Sequence, residues 1–179
     1  MKTRLLPAPP LEDVHWVALR MRDRDREEIF ATQWTDDVVE LVEAVRASGT
    51  FRWGVYIGSR PVAMIGAAPR WPRVWNAWAF GTDEWPRVVK TVTRHVRDFM
   101  IPGLHNAGAI RVDATALESH TDARRWLTAL GATPGMPLAN HGKDGQTFVT
   151  YSWLRQDLLA APATAVPTLE LNRVRTRNE

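Results

Sequence analysis

The chain has 179 residues, of which 45% are hydrophobic and 24% charged. This is enough apolar content to bury one core and enough charge to keep the folded surface in water, which excludes wholesale disorder and leaves two full domains crowded. With no cysteine, a disulfide framework, a thiolate metal site and a cysteine nucleophile are excluded.

The formal charge of +3 and pI near 9.8 permit weak association with nucleic acid without demanding it. Basic residues are interleaved with acidic ones, as in the run from Arg22 to Glu28, which reads as a solvated helix start. The densest basic group is Arg173, Arg175 and Arg177, a modest hook for a polyanion. The apolar stretch behind the first basic residues is too short for a signal peptide, and no apolar run approaches the roughly 20 residues of a membrane span. A soluble protein of the cytoplasm, or of a particle assembled there, is expected.

In chain order, residues 1–10 read as an N-terminal extension. His15 to Arg22 partly alternates apolar and polar residues, which predicts a first strand. A helix follows with Asp25 as its cap and Glu27 and Glu28 in its first turn. A second helix, capped by Thr35 or Asp36, carries Val38, Leu41, Val42 and Val45 at helical spacing. Phe51 to Ile57, the Gly58-Ser59 turn and Pro61 to Ala67 form a hairpin. Val74 to Phe80 is apolar at nearly every position and predicts a central strand. Gly81 to Glu84 break that strand before a long helix with Val88, Val92, Val96, Phe99 and Met100 on one face, ending near Pro102-Gly103.

Ala109 to Leu117 alternates as a strand. Ala123, Trp126, Leu127 and Leu130 mark a further helix closed by Gly131, and Lys143-Asp144-Gly145 turns the chain into a last strand from Phe148 to Trp153. Residues 156–179 lack periodicity and read as an extended tail and a contact surface. The nine tryptophans are expected in the core.

The chemistry-bearing residues are few. Five scattered histidines lack the spacing of a zinc site, so no metal is expected. There is no Gly-x-Ser-x-Gly elbow and no Gly-Lys-Ser/Thr phosphate loop. A strand, a tight turn and a helix at Phe80 to Arg87 form the arrangement that often binds anions at a helix N-terminus. Its ordinary reading is a capped helix: Asp83 caps, Glu84 complements the dipole and Trp85 packs.

The element order β-α-α-β-β-β-α-β-α-β-β, with Arg124-Arg125-Trp126-Leu127-Thr128-Ala129-Leu130-Gly131-Ala132 after the fifth strand, resembles the GNAT superfamily of acyl-CoA-dependent N-acyltransferases across about residues 11–155. The resemblance implies an α/β fold whose mixed central sheet of about six or seven strands is flanked by about four helices. The Trp-rich central strand, the Gly81-Thr82-Asp83-Glu84 turn, Ile101-Pro102-Gly103-Leu104 and His141-Gly142-Lys143-Asp144-Gly145 look like GNAT-like proteins encoded by tailed bacteriophages, among them internal virion proteins.

If the chain is an enzyme, the resemblance implies acetyl-CoA held at Phe80, Gly81, Thr82, Trp85 and Arg87. Against this, one glycine remains in that segment, Pro86 removes an N–H, and Asp83 and Glu84 stand where phosphates would arrive. The position at which the family often carries a proton-donating tyrosine falls on Leu127. Tyr151 and His120 are substitutes, and Glu118 or Asp113 can serve as base. Each has an ordinary alternative: His120 at a helix start, Glu118 on the surface, Asp113 paired with arginine, Tyr151 in cross-strand packing. The expectation is therefore a non-catalytic structural protein of a phage virion that needs no cofactor and contacts other virion proteins. A divergent N-acetyltransferase is the alternative.

Overall fold

The structure, a computed structural model, describes residues 2–49 and 51–159. The tail beyond residue 159, with Arg173, Arg175 and Arg177, lies outside them. Among the described residues seven strands form one sheet in the order β1-β2-β3-β4-β5-β7-β6. They are β1 (Thr3–Pro7), β2 (Arg52–Ile57), β3 (Arg60–Trp71), β4 (Val74–Gly81), β5 (Arg111–Leu117), β6 (Thr133–Leu138) and β7 (Phe148–Leu154). All neighbours are antiparallel except β4 and β5. Helices α1 (Leu11–Leu19), α2 (Asp23–Phe30) and α3 (Val38–Ala47) pack on one face. On the other lie α4 (Trp85–His95), α5 (Ile101–Asn106) and α6 (Thr121–Ala129), and a short α7 (Arg155–Leu159) follows β7.

The expected first strand is a correction. His15 to Leu19 belongs to helix α1, where Val14, Val17, Ala18 and the following Met21 recur at helical spacing and are all buried. That spacing suits a helix laid on a sheet, and the apparent alternation was too short to exclude it. Pro10 precedes the first turn, where a missing N–H costs nothing. The first strand lies instead within the expected extension, pairing Thr3 with Ile57 and Pro7 with Trp53. Tyr56 of β2 donates a hydrogen bond to Asp13 at 2.7 Å, fastening α1 to the sheet, and burial together with that bond raises the phenol pKa above its usual value.

The turn glycines agree with the structure, whereas the caps expected at Thr35 or Asp36 and at Asp83 do not: α3 follows Asp37, and α4 follows Glu84 with no side-chain cap. Gly131 takes a φ of +87° after α6 and Gly145 a φ of +83° before β7, conformations that glycine adopts without steric cost. Helix α3 is capped by Asp37, whose side chain accepts from the Val39 N–H at 2.8 Å, while Asp36 pairs with Lys143. The expected long helix is divided: α4 ends at His95, a π-helical turn covers Val96–Met100, and α5 carries Pro102. Proline lacks the N–H that would continue the ladder, and a π turn is one way to accommodate the break. The expected tail begins as α7, whose Leu158 is buried against the core.

One apolar layer joins Val14, Val17, Phe30, Leu41 and Val45 to Met64 and Phe80 of the sheet. A larger one joins Val88, Val92, Leu104 and Leu127 to Val55, Ile65, Val112 and Trp153. The core reading of the tryptophans holds for Trp153, but Trp34 and Trp71 are exposed. Trp78 on β4 is half-buried although its strand is central, because it faces a cleft.

Two features make this packing testable. Gly66 sits opposite Trp78 on the neighbouring strand, and a Cβ there would lie 2.4 Å from the indole and 2.7 Å from the Phe51 carbonyl oxygen. Gly66→Ala is therefore expected to lower stability by about 2–3 kcal/mol, as overpacked cores do, measured by urea denaturation. His95 lies edge-on to Trp53 and stacked on Phe99, and its Nε2 has no hydrogen-bond partner among the described residues. Burial lowers its pKa to about 4, only partly offset by Asp98. Between about pH 6.5 and 4 the unfolded chain takes up a proton there that the folded one refuses, so this part of the stability, complete above pH 6.5, is lost on acidification. His95→Phe should flatten that part of the pH–stability curve; an unchanged slope in the variant would contradict the assignment.

Candidate functional site

Strands β4 and β5 touch only at their beginnings, where Val74, Trp75 and Asn76 pair with Arg111, Val112 and Asp113. Beyond Asn76 they diverge, and a cavity of about 570 Å³ opens between them. The cavity reaches both faces of the sheet. Toward α2 and α3 it is bordered by Trp78, Phe80, Leu41 and Val45, and toward α4 and α6 by Trp85, Trp126, Val89 and Leu127. The edge of β4 from Ala77 to Phe80 faces this opening with no strand paired to it, so it presents main-chain groups suited to an extended, amide-bearing ligand.

The polar centre of the cavity comes from α2 and the turn before α6. Arg22 holds Asp25 through two hydrogen bonds of 2.6 and 3.2 Å, and its guanidinium also lies over Trp85. Asp25, only 4% exposed, accepts the Gly81 N–H at 2.8 Å. Glu28 accepts the Leu117 N–H at 2.9 Å and lies 3.0 Å from His120 Nδ1 with the same oxygen. A carboxylate oxygen offers only acceptor sites, so Nδ1 carries the proton. Nε2 is then the free nitrogen of a ring that is 3% exposed; it lies 3.9 Å from Asp25, beyond hydrogen-bond reach. Such an imidazole, oriented by a carboxylate at one nitrogen and open at the other, can accept a proton inside the cleft.

Asp25 and Glu28 were read from sequence as a helix cap and first-turn acid on a solvated surface. Asp25 instead lies in the first turn of α2 and accepts from Gly81, 56 residues away, and the contact exists only because α2 packs across the sheet. A signal was available in principle, since Asp25 and Glu28 are three residues apart and so share a helix face.

The residues anticipated from sequence are dispersed. His120 lines the cavity. Tyr151 is buried in the core, where its hydroxyl accepts from Arg124 at 3.3 Å. Glu118 is exposed, and its carbonyl oxygen accepts from Arg124. Asp113 pairs with Arg111 at 2.7 Å. Leu127 borders the cavity where the resemblance implied a tyrosine. Among the described residues no group of three His, Cys, Asp or Glu side chains is placed to hold a metal ion.

In the anticipated cofactor segment, Phe80 and Trp85 line the cavity, but the main-chain donors are largely engaged. The Gly81 N–H serves Asp25, those of Thr82 and Trp85 bond Val62 and Thr82 carbonyl oxygens at 2.9 Å, and that of Arg87 bonds the Glu84 carbonyl oxygen. Glu84 is held by both Arg60 and Arg87. Little of an anion-binding nest remains in this loop.

No family model and no curated protein matches the sequence. Solved structures do. A GNAT-family acetyltransferase from Bacillus anthracis superposes with a TM-score of 0.63 at 15% identity, over 86% of this chain and 96% of that one. The ribosomal-protein-S18-alanine N-acetyltransferase from Escherichia coli gives 0.63 at 11% identity over 94% and 99%. An N-acetyltransferase from Staphylococcus aureus Mu50 gives 0.65 at 9% identity over 87% and 99%. None of these likenesses points to a phage particle. The parted strands, the helices on both faces and the continuous superposition establish that this chain has the fold of the GNAT acetyltransferases.

Proposed function

We propose that this protein is a divergent acyl-CoA-dependent N-acyltransferase. The observation that carries the reading is a cleft through the sheet with different chemistry at its two ends. One end is an apolar slot along the unpaired edge of β4, and the other holds the buried His120 with its free Nε2. The fold shared with acetyltransferases supports the same reading, although fold alone does not establish activity.

Acetyl-CoA would supply an acyl thioester. Its pantetheine portion suits the slot between Trp85, Trp126 and the main chain of Ala77 to Phe80. His120 takes the proton from an attacking amine at Nε2, and Glu28 holds the ring in the tautomer that makes this possible. Leu127 cannot protonate a departing thiolate, but a thiol whose pKa resembles cysteine's, about 8.5, leaves adequately as the anion. The loop after β4 fits less well, since its N–H groups are engaged and Arg60 and Arg87 are held by Glu84. Weak affinity for the diphosphate follows.

That loop, with Leu127, favours a second reading, in which the fold serves as a non-catalytic scaffold. The structural role in a phage virion, in contact with other virion proteins, belongs to this reading and rests on sequence resemblance.

Calorimetric titration with acetyl-CoA separates the two. Heat of binding at sub-millimolar acetyl-CoA, weakened by Trp85→Ala, is expected for the enzyme; no heat at millimolar ligand would leave the scaffold. In the enzyme, His120→Gln should lower kcat by about 10²- to 10⁴-fold with little change in acetyl-CoA affinity, read as release of free thiol with an amine acceptor. An unaltered kcat would remove His120 from the chemistry.

A further inference from the structure

Resting on the acyltransferase reading, we propose that the acceptor is a small primary amine with one positive charge and an apolar body, bound with its nitrogen against Glu28 in the part of the cavity that His120 also lines and its body along Trp78, Leu41 and Val45.

The charge follows from what the cleft leaves uncompensated. Asp25 and Arg22 neutralise each other through paired hydrogen bonds. Glu28 bonds the Leu117 N–H and the His120 ring, and among the described residues no arginine or lysine pairs with it. Asp122 also borders the cleft, but it is exposed in the first turn of α6 and screened by water. A carboxylate without an arginine or lysine partner, in a cavity walled by tryptophan, phenylalanine and aliphatic groups, favours a monocation. It disfavours an anion by repulsion and a polyamine because the further ammonium groups would lie against apolar walls.

The apolar body follows from the walls beyond Glu28. Ile29, Leu41, Val45, Trp78 and Phe80 dominate them. The hydroxyls that intervene are occupied locally: Ser48 donates to the Val45 carbonyl oxygen at 2.7 Å, and Thr32 to that of Ile29. A peptide acceptor would bring several amides that need partners, and this half of the cleft offers chiefly Asn76, Thr115 and Gln33. An aromatic or alkyl body needs none, and gains from contact with the Trp78 indole.

The test uses the full chain without an acyl donor, so that it reads acceptor binding and not turnover. Titration with 2-phenylethylamine, followed by tryptophan fluorescence, is compared with 2-phenylethanol, which keeps the body and lacks the charge, with spermidine, and with a neutral-side-chain tripeptide. The amine should bind at least about tenfold more tightly than each of the others, the margin expected of one charge-assisted hydrogen bond. Glu28→Gln, whose amide oxygen can still accept the Leu117 N–H, should reduce the preference for amine over alcohol to about twofold or less, with the circular dichroism spectrum unchanged. Spermidine or the tripeptide binding as tightly as 2-phenylethylamine, or a preference for amine over alcohol that survives Glu28→Gln, would overturn the proposal. Glu28-dependent amine binding in a protein that neither binds nor turns over acetyl-CoA would uphold the amine site and remove the acyltransferase reading. Turnover of peptides or polyamines without 2-phenylethylamine binding would do the reverse.

Discussion

The parting of β4 from β5 is the constraint on which the rest of the structure depends. The two strands are parallel neighbours for Val74 to Asn76 only, and everything distinctive follows from the failure to pair beyond that point. Parallel strands require a crossover, here α4, the π-helical turn and α5, and those elements cover one face of the opening. The other face is covered by α2 and α3. A sheet that stayed zipped would be a solid wall between two cores; this one has a passage.

Opening a sheet leaves main-chain groups of β4 without strand partners and a gap between two apolar layers. The chain meets this with large side chains. Trp78 lies across Gly66 on one face, and Trp85 meets Trp126 edge-on at 5.2 Å on the other. Trp126 is itself tethered to α4 through a hydrogen bond to Thr93. Much of the tryptophan surplus is thus spent on shaping the walls of the cleft, which explains why several of these rings are only half-buried.

The buried polar cluster links the two sides of the passage. Arg22 contacts Trp85 of the loop after β4, Asp25 holds the N–H of Gly81 in that same loop, and Glu28 bridges to the N–H of Leu117 at the end of β5. Helix α2 therefore spans the mouth and ties the ends of both parted strands together. A buried charge without partners would be costly, and each of these groups has at least one. The hydrogen bonds that position His120 also hold the opening in place, so the candidate site and the architecture share the same residues.

Much of this was legible in the sequence because it depends on local pattern: the hairpin of β2 and β3, the central β4, the stripe of Val88, Val92 and Val96, the glycines at 131 and 145, and the overall α/β class. The first strand was not, since Val14, Val17 and Ala18 lie in a segment short enough to fit two periods, and only packing against Met64 and Phe80 decides for the helix. Nor was the cluster. In sequence, Asp25 and Glu28 are ordinary helix-start acids, and His120 an ordinary residue before a helix. Their meeting depends on contacts across 56 to 92 residues, which no local periodicity encodes. Sequence alone determined most of the helices and strands, the first strand excepted, and which residue types are available for chemistry. The tertiary structure decided which of them share a cavity, because burial and hydrogen bonding over long separations are properties of the packed fold and not of the neighbouring chain.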